Sequence, residues 1–270
     1  MRKQLSRIFD LLYERRGIDF SGNFYPDIFR KIEERVIDSH KETIQNYVAY
    51  LVENPIELNN LIDSITVNVS RFFRNSLTFE LLSSIVLPSL LNAKKKRNDR
   101  SIRVWSAGCS EGEEPYSVSI LMSELLGSLE KPFDMTIFGT DINHRALEKA
   151  KEARYSYDSV SDIKLKLIEK YFRKIGDQYH LDSIIRDSVE FHFYDLLDQR
   201  TAVPSESIFG GFDLILCRNV MIYLNPLARE SIFSKLFQAL NPGGILVLGA
   251  VEIVPSVYAE KLIRKSNYGK

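Results

Sequence analysis

The sequence predicts an α/β fold in which an all-α N-terminal domain precedes a domain built on a mostly parallel β-sheet. Apolar residues recur at helical spacing over residues 5–91, and from Ser101 onward short apolar runs alternate with helical patterns. Strands separated by helices form right-handed βαβ units, so their sheet is parallel. The alternation is interrupted between Ser161 and Ser188, which predicts a small antiparallel excursion within the sheet domain.

The N-terminal part is expected to consist of helices. Their predicted ranges are residues 5–12, 26–36, 44–51, 56–65 and 76–91. Pro26 stands where the first turn of a helix tolerates proline, Asn54-Pro55 ends the third helix, and Ser76 is expected to cap the fifth. The stretch AKKKRNDR that follows is typical of a solvated surface turn. We therefore place the domain boundary there, between residues 1–92 and 93–270.

The second part contains the alternating elements. Strands are expected at residues 102–107, 134–140, 189–193, 212–217 and 244–250, and helices at residues 115–126, 144–153 and 227–240. The interruption contains a predicted helix over 163–172 and a stretch of weak strand character over 178–187. Together these two elements are expected to form an inserted subdomain at about residues 161–188.

Composition excludes several classes of protein. The 36 Lys+Arg residues balance the 36 Asp+Glu residues, so binding driven by nucleic-acid phosphates is disfavoured. Cys109 and Cys217 have no metal-like spacing and are interpreted as reduced thiols in a cytosolic protein. The N-terminus is not typical of a signal peptide, and no apolar run is expected to reach the length of a membrane helix.

Polar residues follow the predicted strands, at the sheet edge where open α/β folds bind ligands. Gly108 and Gly112 bracket a loop after the first strand, but their spacing differs from the dinucleotide fingerprint. Glu111, Glu113 and Glu114 in this loop would repel a pyrophosphate and suit a positively charged ligand. The alternative is that these glutamates only complement the dipole of the following helix.

Further polar residues follow the other strands. Asp141 is suited to ribose hydroxyls, or alternatively to capping the next helix. Asp195 could accept a hydrogen bond from an exocyclic amine such as adenine N6, and Arg218 and Asn219 end the fourth strand. Together these positions describe a nucleoside site without a basic phosphate cradle. Such a site fits S-adenosyl-L-methionine better than NAD or ATP.

Several segments, in this order, resemble the CheR family of chemotaxis receptor methyltransferases over nearly the whole chain. They are TVNVSRFFRN (66–75), RVWSAGCSEGEEPYS (103–117), GTDIN (139–143), LIEKYF (167–172), CRNVMIY (217–223) and NPGG (241–244). The resemblance implies a Rossmann-like class I methyltransferase domain. It also implies transfer of a methyl group from S-adenosyl-L-methionine to glutamate side chains of chemoreceptors in the cytoplasm, with S-adenosyl-L-homocysteine as the product and no metal.

The resemblance also implies which residues form the site. Arg74 and Tyr223 are expected to orient the substrate carboxylate. The residues expected to bind the cofactor are Asn68, Ser70, Arg74, Glu113, Asp141, Asp195, Leu196, Arg218 and Asn219. Ser70 replaces the threonine usual in the family, and Asp195 replaces an asparagine. A glutamate carboxylate is already ionised at neutral pH, so the reaction needs positioning and no general base.

The partner is expected to be the methylation helices of chemoreceptors, and the protein a monomer. Arg30, Lys31, Arg35 and Lys41 could meet an acidic receptor helix, or could form an ordinary solvated face. Receptor-tethered family members carry a longer glycine-containing insert near residues 174–187, so this chain is expected not to use a C-terminal pentapeptide tether. The last strand ends in GAVEI where the family often has G-H-S-E, and Glu252 is retained.

Three alternatives remain open at this stage. One is a CheR-like methyltransferase acting on a different acidic protein or on a small acid. Another is a CheR-like module that binds S-adenosyl-L-methionine as a signalling scaffold without catalysis. A dehydrogenase is disfavoured by the glycine spacing and by the glutamate-rich loop.

Overall fold

The computed structural model describes residues 2–16, 26–65, 70–127, 133–198, 200–201, 203–204 and 211–262. These residues divide between two compact units. The first unit comprises the described parts of Met1–Val67, Asn219–Ser234 and Ala250–Lys270. The second comprises those of Asn68–Arg218 and Lys235–Gly249.

The first unit contains the N-terminal helices. They are α1 (Arg2–Arg16), α2 (Pro26–Asp38), α3 (Ile44–Glu53) and α4 (Pro55–Ile65). Their apolar faces form one buried cluster that includes Ile8, Leu12, Ile32, Leu51 and Leu61. The helical spacing of these residues produced the prediction, and the described helices confirm it. The Thr43 side chain caps α3 by accepting a hydrogen bond from the Asn46 amide.

A buried carboxylate on α4 joins that helix to α2 and α3. Glu57 is 5% exposed and accepts hydrogen bonds from the Arg35 guanidinium at 2.5 Å and from the Tyr47 hydroxyl at 2.8 Å. The prediction that Arg35 could face a partner helix is therefore wrong, because an internal carboxylate binds its guanidinium. Arg30 pairs with Glu34 at 2.7 Å on the exposed surface of α2.

The second unit contains a five-stranded sheet and a three-stranded sheet. Its strands are β1 (Ser101–Ala107), β2 (Asp134–Asp141), β3 (Arg154–Tyr155), β4 (Phe172–Ile175), β5 (Gln178–Leu181), β6 (Val189–Phe193), β7 (Phe212–Cys217) and β8 (Leu240–Leu248). The larger sheet has the order β6-β2-β1-β7-β8 and all its pairs are parallel. After β1 the chain adds β2 and β6 on one side of that strand, and then β7 and β8 on the other side. The topological switch point therefore lies between β1 and β7.

The smaller sheet confirms the predicted antiparallel excursion. Its order is β3-β5-β4, and β4 and β5 form a hairpin in which Ile175 pairs with Gln178. The remaining strand, β3, lies before the predicted interval. The sequence does not predict it, because two residues are too few to show the period of a strand. The last strand of the larger sheet was placed too late in the sequence, since β8 already begins at Leu240.

The helices continue in chain order. They are α5 (Ser76–Leu81), α6 (Leu87–Lys96), α7 (Glu113–Leu126), α8 (His144–Glu152), α9 (Tyr157–Val160), α10 (Leu165–Tyr171), α11 (Ser183–Arg186), α12 (Pro226–Ala239) and α13 (Ser256–Ala259). A π-helical turn, Leu82–Val86, joins α5 to α6. The predicted cap at Ser76 is wrong. The residue before the helix is Asn75, whose φ of 63° is left-handed, and Ser76 is the first helical residue.

The stretch from α5 to α6 forms a long helical segment of 21 residues. By length and composition alone, Ser76–Lys96 passes a test for membrane spans that core helices of soluble proteins also pass. Phe79, Leu82 and Leu87 from this stretch pack in the core cluster of the second unit. We therefore assign the helix to that core.

Candidate active site

The FFR segment (residues 72–74) is anchored to the first turns of α7. The Phe73 amide donates to Ser117 Oγ at 2.9 Å, and that hydroxyl donates to the Glu113 carbonyl at 2.6 Å. Phe72 and Phe73 are both buried, so the two phenylalanines of the segment are core residues. Phe73 has a φ of 55°, so the chain turns sharply just before Arg74. This bonding fixes the backbone of the segment that carries Arg74.

Arg218, directly after β7, binds three acceptors in two other parts of the same unit. Its guanidinium donates to the Glu114 carboxylate at 3.1 Å, to the Arg74 carbonyl at 2.9 Å and to Asn75 Oδ1 at 3.3 Å. The side chain is buried, and among the described residues its Nε has no hydrogen-bond partner. Arg218 thus holds the FFR segment against the end of β7. Its role in binding a cofactor stays a prediction.

The glycine loop lies across the ends of β1 and β2. The amides of Gly108 and Cys109 donate to the Thr140 carbonyl at 2.8 and 2.9 Å. Gly112 has a φ of 91°, and a Cβ there would lie 3.0 Å from Ala150 Cβ. A side chain at Gly112 would therefore be strained and would clash with α8.

The three glutamates of this loop have different surroundings. Glu111 pairs with Lys149 Nζ at 2.6 Å, and Glu114 accepts from the Ser106 hydroxyl at 2.8 Å as well as from Arg218. Glu113 is 2% exposed, and its Oε2 has no hydrogen-bond partner in the described part of the chain. Of the three glutamates, Glu113 is therefore the one expected to face a positively charged ligand.

Burial raises the pKa of Glu113 to about 7. Hydrogen bonds from its own amide and from the Ser70 side chain oppose this shift. A cationic group beside Oε2 would compensate the buried charge. The arrangement thus fits a ligand with an ammonium or sulfonium group.

Asp141 is a loop anchor at the end of β2. Its carboxylate accepts from the Ser110 amide at 2.8 Å and from the Asn143 amide at 2.9 Å. Asn143, and not Asp141, caps α8 by accepting from the Ala146 amide, so the capping alternative for Asp141 is wrong. Burial raises the pKa of Asp141. Its contact with a ribose stays a prediction.

The turn after β6 carries Asp195 and Leu196. Asp195 Oδ1 accepts from the Leu197 amide at 2.9 Å, and Leu196 is buried. Lys235 Nζ donates to the Asp198 carbonyl at 2.7 Å and holds the far end of this turn. The polar residues after β1, β2, β6 and β7 therefore all lie at the carboxyl edge of one sheet, as expected from the strand order.

Comparison with known proteins identifies the family. Residues 68–268 match the family model described as the SAM binding domain of CheR methyltransferase. Residues 3–66 match the model described as the all-alpha domain of the same family. The chain belongs to the CheR methyltransferase family.

Curated relatives extend over nearly the full chain. The chemotaxis protein methyltransferase of Borreliella burgdorferi is 29% identical over 272 residues, which cover 100% of this chain and 94% of the relative. Chemotaxis protein methyltransferase 2 of Vibrio cholerae is 32% identical, covering 96% of this chain and 90% of the relative. The Salmonella typhimurium chemotaxis protein methyltransferase is 30% identical, covering 96% and 86%. This CheR-family chain is an S-adenosyl-L-methionine-dependent methyltransferase.

Two predicted site residues are not fully covered by the described part of the chain. Asn68 is outside the described residues. The backbone of Tyr223 belongs to a 3₁₀ helix, Met221–Tyr223, in the first unit, but its side chain is not described. Among the described residues, no group of three or more His, Cys, Asp or Glu side chains could hold a metal ion.

Two serines that the sequence patterns do not single out also interact with the predicted site segments. Ser110 Oγ is buried without a hydrogen-bond partner among the described residues, so it is a further candidate ligand for the cofactor. Ser117 anchors the FFR segment. Neither Ser110 nor Ser117 is distinctive by residue type. Both lie within the segment GCSEGEEPYS, which carries the family resemblance. Their position in this shared motif is the sequence signal that could have identified them.

Proposed function

We propose that this methyltransferase esterifies glutamate side chains on the cytoplasmic methylation helices of chemoreceptors, as part of chemotactic adaptation. The observation that carries the proposal is the near full-length relationship to proteins named chemotaxis protein methyltransferases. The geometry supports it through Glu113, whose buried oxygen lacks a partner among the described residues and suits a cationic methyl donor.

S-adenosyl-L-methionine, when bound, supplies an electrophilic methyl group on a sulfonium. Glu113 and Ser70 are assigned to its positively charged portion, and Asp141 to its ribose. Asp195 and Leu196 are assigned to the adenine, and Asn68, Arg74, Arg218 and Asn219 complete the site. The pairing of Arg218 with Glu114 neutralises one carboxylate and leaves Glu113 as the negative group facing the cofactor.

Arg74 and Tyr223 are assigned to the substrate carboxylate. The reaction removes charge, because an anion and a sulfonium become an ester and a thioether. A tight ionic clamp on the carboxylate would therefore stabilise the ground state more than the transition state. One arginine and one phenol hydroxyl orient the nucleophile while limiting that loss. Exclusion of water from the carboxylate further favours attack.

Radiolabelled methyl transfer to receptor-enriched membranes tests this function. We expect label in receptors that is released as methanol by mild base, since methyl esters hydrolyse readily. Receptors with glutamine at the methylation sites are the matched control and should take up none. Binding of S-adenosyl-L-homocysteine without any transfer would instead favour the scaffold alternative.

We further propose that the protein is a cytoplasmic monomer, not inserted in the membrane, in which residues 1–92 and 93–270 form separate domains. Independence from a receptor tether is supported by the short β4–β5 hairpin, where only Gly176 and Asp177 separate the paired ends. Isothermal titration with a receptor C-terminal pentapeptide should show no binding. Micromolar affinity would refute this part of the proposal.

A further inference from the structure

The turn that follows β7 is held by a single carboxylate. Glu252 Oε1 accepts from the Val220 amide at 2.9 Å and from the Met221 amide at 2.8 Å, and Oε2 accepts from the Asn219 amide at 3.2 Å. Three successive amides thus point at one anion, an arrangement in which charge-assisted hydrogen bonds are strong. Asn219 has a left-handed φ of 60°, which lets the three amides converge.

The other side of this turn is held independently. Arg229, on α12, donates from Nε to the Leu224 carbonyl at 2.6 Å. Asn225 caps α12 by accepting from the Ala228 amide at 2.8 Å. The backbone of Tyr223 therefore lies between a segment fixed through its amides and a segment fixed through a carbonyl. Glu252 supplies the first of these restraints from a different part of the chain.

We propose that Glu252 is a positioning residue for methyl transfer, which clamps the Asn219–Met221 turn so that Tyr223 is held in its productive place. The inference rests on the proposed role of Tyr223 in the reaction. Glu252 needs no contact with substrate or cofactor in this role. An isosteric Glu252→Gln change replaces one carboxylate oxygen with an NH₂ group, so at least one amide of the turn loses its acceptor.

The first measurement tests the clamp without any methyl acceptor. Hydrogen–deuterium exchange of the Asn219, Val220 and Met221 amides should become faster in Glu252→Gln than in wild type. Glu260→Gln is the matched control, because Glu260 is an exposed glutamate in the same C-terminal segment. Unchanged exchange in Glu252→Gln would overturn the proposal.

The second measurement is a double-mutant cycle with Tyr223→Phe on receptor substrate. Glu252→Gln alone should lower kcat by about tenfold or more, since small misplacements of reacting groups are costly. In the Tyr223→Phe background the same change should lower kcat less than about twofold, because coupled residues are not additive. Effects that multiply independently would contradict positioning of Tyr223 by Glu252.

Glu252→Asp keeps the charge and provides a second variant if the glutamine protein does not fold. Glu252→Asp should show a kcat, and a protection of the three amides from exchange, between those of wild type and Glu252→Gln. A kcat and a protection no higher than those of Glu252→Gln would count against the clamp. Failure of the proposed function is distinguishable, because wild-type protein would then methylate no receptor. The exchange measurement would still decide whether Glu252 holds the turn.

Discussion

Glu113 has a carboxyl group whose ionisation the surrounding fold opposes. Lys149 and Arg218 pair with its neighbours Glu111 and Glu114, while its own Oε2 has no partner in the described part of the chain. Because burial raises the pKa of Glu113 to about 7, the folded protein without ligand prefers the protonated carboxyl group below that pH. Its contribution to stability is present below the unfolded pKa near 4.5 and is lost as the pH rises through about 7.

Cofactor affinity should therefore depend on pH with the opposite sign. A cationic ligand prefers the Glu113 carboxylate, so affinity for S-adenosyl-L-methionine should rise with pH up to about 7, where burial places the pKa, and then level off. Below that pH the loss approaches about tenfold per unit, since one proton must be released. Isothermal titration between about pH 5.5 and 7.5 measures the slope. Glu113→Gln should abolish it, and an unchanged slope in that variant would assign the titration to another group.

Arg74 allows a second test at the residue scale. Its backbone carbonyl, and not its side chain, accepts the hydrogen bond from Arg218. Arg74→Ala should therefore keep the loop anchored but lower methyl transfer at saturating cofactor by about a hundredfold, through lost orientation of the nucleophile. Arg74→Lys keeps the charge without the planar guanidinium and should recover only part of the rate. Transfer by Arg74→Ala at the wild-type rate would remove Arg74 from the mechanism.

Among the elements, the FFR segment and α7 act as one piece. Ser117 accepts from the Phe73 amide and donates to the Glu113 carbonyl, so one hydroxyl connects the expected substrate side to the expected cofactor side. A sequence motif can mark both segments, but it cannot show the bond between them. That bond depends on the left-handed backbone at Phe73, which local propensity does not predict for phenylalanine.

Removal of the Ser117 hydroxyl should uncouple these elements. Ser117→Ala leaves the buried Phe73 amide without its acceptor, which costs about 1–3 kcal/mol of unfolding free energy. Because the same change loosens the segment carrying Arg74, kcat should fall as well. Ser119→Ala is the control, since Ser119 lies on the same helix but bonds Ser188 Oγ at 2.6 Å. Denaturant unfolding and methyl transfer should show lower stability in both variants and lower kcat in Ser117→Ala alone.

At the element scale, sequence patterns predicted what continuous apolar runs specify. The runs that form β1 and β7 are almost wholly buried, so their boundaries were nearly correct. The start of β8 was missed because Asn241, Pro242 and two glycines are typical of a turn, yet Leu240 pairs with Phe212 across a register shift. The π-helical turn after α5 was also missed, since no residue pattern distinguishes it from an α-helix.

For the molecule as a whole, the resemblance located the family but did not distinguish which polar residues are already paired. In the sequence, Glu111, Glu114 and Arg218 are all candidates to contact a ligand. Only the tertiary structure shows that they pair with other side chains. The same is true of Arg35, whose guanidinium is bound by Glu57. Ion pairs between residues far apart in sequence depend on the packing of elements, which hydrophobic periodicity does not specify.

The second unit also separates its stabilising ion pair from its candidate site. Lys94 Nζ binds Asp213 Oδ1 at 2.8 Å and Asp99 Oδ2 at 2.7 Å, and Asp213 is only 4% exposed. The Arg103 amide donates to Asp213 Oδ2 at 3.0 Å. Arg103 and Asp213 lie near the starts of β1 and β7, whereas the candidate site lies at the carboxyl ends of the same strands.

Lys94→Met should consequently change stability without changing ligand binding. It leaves the buried Asp213 charge without its cation, which costs about 3–5 kcal/mol of unfolding free energy. Adding Asp213→Asn removes that charge and should restore part of the loss, a coupling that denaturant unfolding of both variants measures. Affinity for S-adenosyl-L-homocysteine, titrated at a temperature where Lys94→Met is folded, should equal that of wild type. Weakened binding under those conditions would mean that the starts of these strands also determine the geometry at their carboxyl ends.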